Sequence, residues 1–266
     1  MGQLNFNPQA LGKRAFILGS MAMVSSVGTV SLSATQDLPA SVDGVLNHAQ
    51  LGMLYSLQVG VNKKVRVQNA REVLGRQYNK SVVRHSESVE EIRQFLLTQV
   101  KRGLPKKFQA KALEVTTAIL RESEKHGFDP LFVAAVIQNE SAFNPLARGP
   151  VGEIGLMQIR PTTAAWLSKK MDLKYRGPRH LENTQFNIQL GTAYLAQLRE
   201  SFRSDGGLYL AAFNMGSSNV KQALAKNIRP KDYANRVLRR YLRLYQDLKQ
   251  DTQAPARGLA KVPAAA

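Results

Sequence analysis

The sequence predicts an all-α protein with little or no β-sheet. Apolar residues recur at the three- and four-residue spacing of amphipathic helices over most of the chain beyond residue 88, and no alternating strand pattern of any length occurs. At 266 residues, the chain is long enough for one sizeable domain with appendages. The absence of cysteine excludes disulfide frameworks, thiolate metal sites and cysteine nucleophiles.

The first 34 residues have the pattern of an export signal. Lys13 and Arg14 form a short basic region, and an apolar core of about ten residues follows it. Small residues near position 34 allow cleavage. We interpret residues 1–34 as a signal peptide or an N-terminal anchor, which places the protein in the periplasm or cell envelope.

Residues 35–105 are predicted to form a basic, partly helical extension. A capping box at Ser88-Val89-Glu90-Glu91 indicates the start of one helix. The basic stretch at 63–84 is interpreted as a solvated, partly disordered connector, or alternatively as a contact surface for an acidic or membrane-surface partner. Gly103-Leu104-Pro105 is a cluster of helix breakers and marks the predicted domain boundary.

Residues 106–250 are regularly helical and are predicted to form the main domain. Gly127 is expected to end the first helix of this domain as a C-cap. From residue 251 to residue 266 the composition is rich in Ala and Pro and predicts a disordered tail. The amphipathic pattern predicts helices at 108–126, from 130 to near 144, and at 162–171, 187–202, 208–213, 218–225 and 232–248.

Glu140 is the candidate catalytic residue. Its helix starts at a plausible N-cap, Asp129, with Pro130 at the first helical position. The helix should end near Asn144, because the residue before Pro145 avoids helical backbone angles. An arbitrary glutamate at a helix end would lie on the solvated face. Since apolar residues precede Glu140, the other interpretation is that its carboxyl group lies against the core, where loss of solvent raises its pKa. Such a glutamate stays available as a proton donor near neutral pH.

Four sequence blocks occur in a fixed order and carry a family resemblance. They are Glu140-Ser141, Gly155-Leu156-Met157-Gln158-Ile159, Ala211-Ala212-Phe213-Asn214-Met215-Gly216 and Tyr233. This order resembles the catalytic domain of soluble lytic transglycosylases (SLT), in the lysozyme-like superfamily, over about half of the chain. The resemblance implies a helical lysozyme-like fold that acts on peptidoglycan without a cofactor. In that family, the substrate's own 6-hydroxyl attacks, and the cut leaves a 1,6-anhydromuramoyl end at the MurNAc–GlcNAc β-1,4 bond.

The resemblance also assigns roles to individual residues. Glu140 would be the acid and then the base, because protonation of the leaving oxygen is required as positive charge develops on the sugar. Gln158 offers both a hydrogen-bond donor and an acceptor to a sugar, while Met157 would serve equally as a sugar-facing surface or as core filler. The substrate-binding residues implied are Ser141, Gly155, Leu156, Met157, Gln158, Phe213, Asn214 and Tyr233.

Two positions depart from the family pattern. Gly149 stands where the family often has a serine, and Glu153 replaces a small residue. Glu153 is also the only nearby acid that would serve as a second carboxylate; the alternative is a loop acid that is exposed or holds a turn. With a second carboxylate the chain would be a lysozyme-like muramidase that uses water. A non-catalytic wall-binding protein is the alternative from a different class.

Net charge and histidine spacing limit the partners. With 37 basic and 19 acidic residues, the chain carries +18 and favours anionic partners such as the carboxylate-bearing strands of peptidoglycan. Nucleic acid is disfavoured because of the export signal and the scarcity of interleaved aromatic and basic residues. No metal is expected, because the histidines share no metal-ligand spacing: His48, His85, His126 and His180.

Overall fold

The computed structural model describes residues 62–84 and 88–259, and within these ranges the protein is helical without a strand. The predicted signal peptide or anchor at residues 1–34 lies outside the described residues, as does the start of the extension. Two isolated antiparallel bridges join Ile154 to Arg148 and to Ile159. The all-α prediction is confirmed. The helices are α1 Lys63–Leu74, α2 Val89–Gly103, α3 Ala112–His126, α4 Pro130–Ser141, α5 Pro161–Lys170, α6 Thr184–Ser201, α7 Gly206–Met215, α8 Ser217–Ala225 and α9 Asp232–Leu259.

Local capping residues fix the helix ends much as the sequence predicts. The Ser88 hydroxyl accepts a hydrogen bond from the Glu91 amide and the Glu91 side chain accepts one from the Ser88 amide, which completes the capping box of α2. Gly127 ends α3 in the left-handed conformation at φ 68°. Helix α4, which carries Glu140, ends about three residues before the predicted position, because Ala142 and Phe143 both adopt positive φ angles and turn the chain.

The predicted boundary at 103–105 separates two helices and does not separate two hydrophobic cores. Buried residues of α1 and α2, such as Val73 and Leu96, belong to the same core cluster as those of α4 and α9. Gly103 allows this close packing, because a Cβ there would lie 2.5 Å from Cδ2 of Phe143. Residues 62–104 therefore fold as part of the main domain. A breaker cluster ends a helix for local reasons and carries no information about what that helix packs against.

The basic segment at 63–84 is folded and is not a disordered connector. Most of it lies in α1, whose Ala70, Val73 and Leu74 are buried at helical spacing. Arg66 is also buried, with 5% of its surface exposed, and its Nη1 donates a hydrogen bond to the Tyr245 hydroxyl of α9. The sequence predicted a solvated side chain at Arg66, but its guanidinium group is buried against α9.

The last helix continues beyond the predicted end. Helix α9 runs to Leu259 and so takes up more than half of the segment predicted to be a disordered tail from residue 251. An established helix adds residues at little cost, because nucleation is the expensive step. Among the described residues, none of the helices combines the length and apolarity needed to cross a membrane.

Candidate active site

Helix α4 carries the candidate acid and is anchored at its first turn. The Asp129 carboxylate caps it by accepting a hydrogen bond from the Leu131 amide at 2.9 Å, while Pro130 occupies the first helical position. The other carboxylate oxygen accepts hydrogen bonds from the hydroxyls of Tyr241 and Tyr245 at 2.7 and 2.6 Å. Asp129 is fully buried, and α4 is apolar from Leu131 to Ile137 with every side chain buried. The start of α4 is therefore rigidly tied to α9.

Glu140 lies in the last turn of α4 as a half-buried acid. Its Oε1 accepts hydrogen bonds from the Tyr233 hydroxyl at 2.5 Å and from the Asn139 side-chain amide at 3.3 Å. Burial raises the pKa of Glu140, and the hydrogen bonds from Tyr233 and Asn139 only partly oppose this shift. The charge of Glu153 adds to the increase and that of Arg236 reduces it. The predicted environment of the candidate acid is confirmed, since burial dominates and favours the protonated form.

The Glu140 side chain lines a cleft of about 530 Å³. The loop at 149–160 forms one wall, the start of α5 another, and the end of α7 a third. Three of the predicted substrate-binding residues line this cleft: Gln158, Phe213 and Asn214. Tyr194 of α6 lines it as well and packs against Phe213 with a ring separation of 5.6 Å. Tyr194 belongs to the helix predicted at 187–202, but nothing local in the sequence shows that this helix face reaches the cleft.

Gln158 offers less to a substrate than its residue type suggests. Its side-chain nitrogen donates hydrogen bonds to the carbonyls of Ala147 and Gly155, at 3.0 and 2.8 Å. Because an amide nitrogen has two hydrogens, its donor capacity is used inside the loop. Gln158 also sits at φ 48°, a left-handed conformation that these bonds help to hold. Only its side-chain oxygen is left to accept a hydrogen bond in the cleft.

The three residues before Gln158 support the loop and do not line the cleft. Leu156 and Met157 are fully buried, so the interpretation of Met157 as core filler is the correct one. Gly155 has φ 84°, and a Cβ there would lie 2.4 Å from the Leu181 carbonyl oxygen. The glycine is required by close packing against the neighbouring chain segment and not by an approaching sugar. Substrate contact at these three side-chain positions was therefore wrongly predicted.

Asn187 of α6 holds this loop in place. Its Oδ1 accepts a hydrogen bond from the Met157 amide at 2.7 Å, and its Nδ2 donates to the carbonyls of Ile154 and Leu181, both at 2.9 Å. Asn187 is fully buried and all of these bonds are internal. Two of these three bonds reach residues about thirty positions away in the sequence, so residue type alone did not show that Asn187 holds this loop.

Ser141 and Tyr233 act on the acid from behind the cleft. The Ser141 hydroxyl lies within hydrogen-bonding distance of two carbonyl oxygens, that of Leu156 at 2.8 Å and that of Ile137 at 3.2 Å. The bond to Leu156 joins α4 to the loop. Neither residue is among those that line the cleft. Tyr233 is 5% exposed, and burial together with the charge of Glu140 raises its pKa well above the ordinary value. Tyr233 therefore stays protonated and donates to Glu140.

Glu153 holds a turn. Its carboxylate accepts hydrogen bonds from the Val151 amide and from Nε of Arg160, at 3.1 and 3.0 Å. Burial opposes its ionisation, but these bonds outweigh that effect and lower its pKa. A Cβ at Gly149 would lie 2.3 Å from Oε2 of Glu153, so a side chain there would require the Glu153 carboxylate to move. The two departures from the family pattern are therefore linked: the Glu153 carboxylate fills the space that a side chain at 149 would need.

Comparisons with known proteins find similarity over the middle of the chain. Residues 117–235 match the transglycosylase SLT domain family. The chain is 37% identical over 97 residues to a soluble lytic murein transglycosylase of Salmonella typhimurium, covering 36% of this chain and 15% of that protein. It is 29% identical over 135 residues to a membrane-bound lytic murein transglycosylase C of Sodalis glossinidius, covering 47% and 37%. The chain thus spans less than two fifths of these relatives' lengths.

The chain also superposes on a solved structure of an inactive mutant of the lytic transglycosylase Slt from Pseudomonas aeruginosa. The superposition covers 71% of this chain and 38% of the Slt chain. The TM-score is 0.46 and the sequence identity is 24%.

Proposed function

Because residues 117–235 carry a transglycosylase SLT domain, we propose that this protein is a peptidoglycan lytic transglycosylase. It cleaves the MurNAc–GlcNAc β-1,4 bond and leaves a 1,6-anhydro-MurNAc end. The observation that carries the proposal is the position of Glu140, an acid of raised pKa that opens into a cleft and receives two hydrogen bonds on one oxygen. The relatives' names, which describe murein transglycosylases, support the substrate class.

Glu140 acts first as a general acid and then as a general base during the reaction. Protonated Glu140 donates to the glycosidic oxygen, the C1–O bond breaks, and positive charge develops on the MurNAc ring. The 6-hydroxyl of that ring attacks C1, and the Glu140 carboxylate takes the proton released from this hydroxyl. The carboxylate between these steps is stabilised by the hydrogen bonds from Tyr233 and Asn139, because a charged acceptor forms the stronger hydrogen bond.

The state of Glu153 favours attack by the substrate's own hydroxyl. Glu140 and Glu153 are the acids among the described residues that line the cleft. Glu153 has a lowered pKa and is tied to Arg160 and to the Val151 amide, so its oxygens are engaged in holding the turn. Attack by the 6-hydroxyl does not require a second carboxylate to activate a water molecule. The hydroxyl has a high effective concentration because it is attached to the reacting ring.

The hydrolytic alternative has one observation in its favour. Glu153 is ionised and lies in the same cleft as Glu140, so a water between the two groups would make the protein a lysozyme-like muramidase. The products separate the two reactions. Mass spectrometry of digested sacculi gives anhydro ends, lighter by one water, for the transglycosylase and reducing ends for the muramidase.

The experiment compares wild type with Glu140→Gln and Glu153→Gln on purified sacculi. We expect Glu140→Gln to lower turnover by about 100- to 10,000-fold, the usual contribution of a general acid. Glu153→Gln should retain anhydro product, because its role is to hold a turn. Intact sacculi after treatment with wild type would point instead to a wall-binding protein without catalysis.

Binding can be measured separately from cleavage through Trp166. It is the only tryptophan of the chain, is 47% exposed, and lies on α5 one turn after Thr162 and Thr163, which line the cleft. In Glu140→Gln, glycan should still change Trp166 fluorescence although turnover is lost. A variant that lost both signals would indicate misfolding and would not identify a proton donor.

The substrate places the site of action in the cell envelope. Some relatives carry the name membrane-bound lytic murein transglycosylase, which supports the same location. Export by residues 1–34 to the periplasm, with or without cleavage, is part of the proposal and is tested by fractionation. Contact of the basic residues of the extension with an acidic or membrane-surface partner stays a prediction.

A further inference from the structure

A second cleft, of about 380 Å³, lies against one face of α9. Four arginines of α9 line it, with Gln99 of α2, Gln138 of α4, Leu244 and Asp247. We call it the arginine cleft and define it by Arg236, Arg239, Arg240 and Arg243. Their spacing of three and four residues brings the four side chains to the same helix face.

The charge of the arginine cleft is mostly unbalanced. Arg243 forms an ion pair with Asp247 at 3.0 Å, and Nε of Arg240 donates to the Asn139 side-chain oxygen at 3.4 Å. Within residues 62–84 and 88–259, no carboxylate lies within ion-pair distance of Arg236, Arg239 or Arg240. Guanidinium groups collected in a concave surface favour an anion that accepts two parallel hydrogen bonds.

The arginine cleft is connected to the catalytic acid. Asn139 accepts from Arg240 and donates to Oε1 of Glu140, so a single side chain joins the two sites. Arg236 lies over the ring of Tyr233, at 5.7 Å, and Tyr233 donates to the same Glu140 oxygen. Asn139 and Tyr233 therefore each contact both Glu140 and an arginine of the arginine cleft.

We propose that the arginine cleft binds the carboxylates of peptides attached to the glycan strand that Glu140 cleaves. This inference rests on the proposed function, because it requires a glycan in the neighbouring cleft. The row from Arg236 to Arg243 spans about 10 Å at the rise of an α-helix, which matches about three extended peptide residues. Gln99 and Gln138 supply amide donors and acceptors for the peptide backbone between the carboxylates.

The two amides favour a peptide over an anionic lipid surface. A lipid surface presents phosphates without backbone amides, so it would leave the amides of Gln99 and Gln138 without partners.

The test changes Arg239 and Arg243, which have no described contact with Glu140 or its hydrogen-bonding partners. Arg239→Gln/Arg243→Gln is compared with Arg76→Gln/Arg179→Gln, which removes the same charge from exposed positions outside both clefts. Each protein digests glycan strands with intact peptides and the same strands stripped of peptides by an amidase. We expect the cleft variant to raise KM about 5-fold on peptide-bearing strands only, while the control pair matches wild type on both substrates.

Each other outcome is decisive. An equal KM for the cleft variant and the control pair on peptide-bearing strands overturns the inference while the proposed function stands. A rise in KM of the same size on both strands overturns it as well, because the arginines would then act on the glycan. Loss of binding to phosphatidylglycerol vesicles with unchanged KM would assign the cleft to membranes. If wild type cleaves neither strand, the proposed function itself fails.

Discussion

The two ends of α4 each carry a carboxyl group that is hydrogen-bonded to tyrosines of α9. At the first turn, Asp129 is fully buried, and its two oxygens accept from the Leu131 amide and from Tyr241 and Tyr245. At the last turn, both described hydrogen bonds to Glu140 go to Oε1, and the group lines a cleft. Burial raises the pKa of both acids.

Burial and a raised pKa therefore do not distinguish the candidate catalytic acid, Glu140, from the structural acid, Asp129. Asp129 has its oxygens engaged by buried donors, and nothing can exchange a proton with it without opening the fold. Glu140 keeps Oε2 without a hydrogen-bonding partner among the described residues and faces open space. Access for a substrate oxygen decides the function, while the environment only sets the protonation state.

The largest effect is expected from Asp129→Ala. It removes a helix cap and leaves the buried hydroxyls of Tyr241 and Tyr245 without an acceptor, so the free energy of unfolding should fall by about 3–5 kcal/mol. Urea denaturation measures this. Asp205→Ala is the matched control, because Asp205 caps α7 at a partly exposed position and should cost about 1 kcal/mol. Equal losses in the two variants would contradict the structural role of the Asp129 network.

Tyr233→Phe should reduce activity with little loss of stability. Removing a donor to the Glu140 carboxylate is expected to lower kcat/KM about 10- to 100-fold. Because this hydrogen bond lowers the pKa of Glu140, its loss raises that pKa further, and the alkaline limb of the pH profile should move to higher pH. Tyr241→Phe, which touches Asp129, should leave the limb in place. If the pH profile of Tyr233→Phe superposed on that of wild type, the hydrogen bond from Tyr233 would have no effect on the pKa of Glu140.

Arg66→Met tests the coupling of α1 to the buried end of α4. The variant keeps an aliphatic side chain but loses the hydrogen bond to Tyr245, and stability at pH 7 should fall by about 1–2 kcal/mol. The stability lost in Arg66→Met should be smaller at low pH. The Arg66 charge lowers the pKa of Asp129 because it favours the ionised carboxylate, and this contribution disappears when Asp129 is protonated. Arg102→Met, at an exposed position of α2, should change stability by less than about 0.5 kcal/mol.

The smallest expected effect is a pH trend in the stability of Glu140→Gln. A carboxyl group whose pKa is raised on folding stabilises the protein below its unfolded pKa, and this contribution is lost as pH rises through the folded value. Wild type should therefore lose stability relative to Glu140→Gln between pH 4 and pH 7. Unfolding midpoints at the two pH values measure the difference, and a constant difference would argue that Glu140 is solvated.

Much of the helical pattern was predictable because its signals are local. The capping box at Ser88, the cap at Asp129 and the C-cap at Gly127 each depend on a few adjacent residues, and all three form as predicted. The family motifs and the apolar run before Glu140 made it the candidate acid, and its half-buried position agrees with that run, while its catalytic role stays a prediction. The start of α9 was correct and its end was not, because composition after residue 250 does not show that an existing helix continues.

The assignment of the glycine loop shows what residue type cannot reveal. Gly155, Met157 and Gln158 have the chemistry of a sugar-binding strip, but packing against α6 buries the first two, and the carbonyls of Ala147 and Gly155 take the donors of Gln158. Likewise, residue type did not show what Asn187 and Arg66 bind, because Met157 and Tyr245 lie far from them in the sequence.

By itself, the sequence determined the all-α class, most of the helices beyond residue 88 and the caps at Ser88, Asp129 and Gly127, because capping and amphipathic spacing act within one or two turns. Only the tertiary structure decided which groups face the cleft, which support it, and that α1 and α2 share the core. Those outcomes depend on long-range packing and on whether each hydrogen-bonding group finds an internal partner, and a linear pattern records neither.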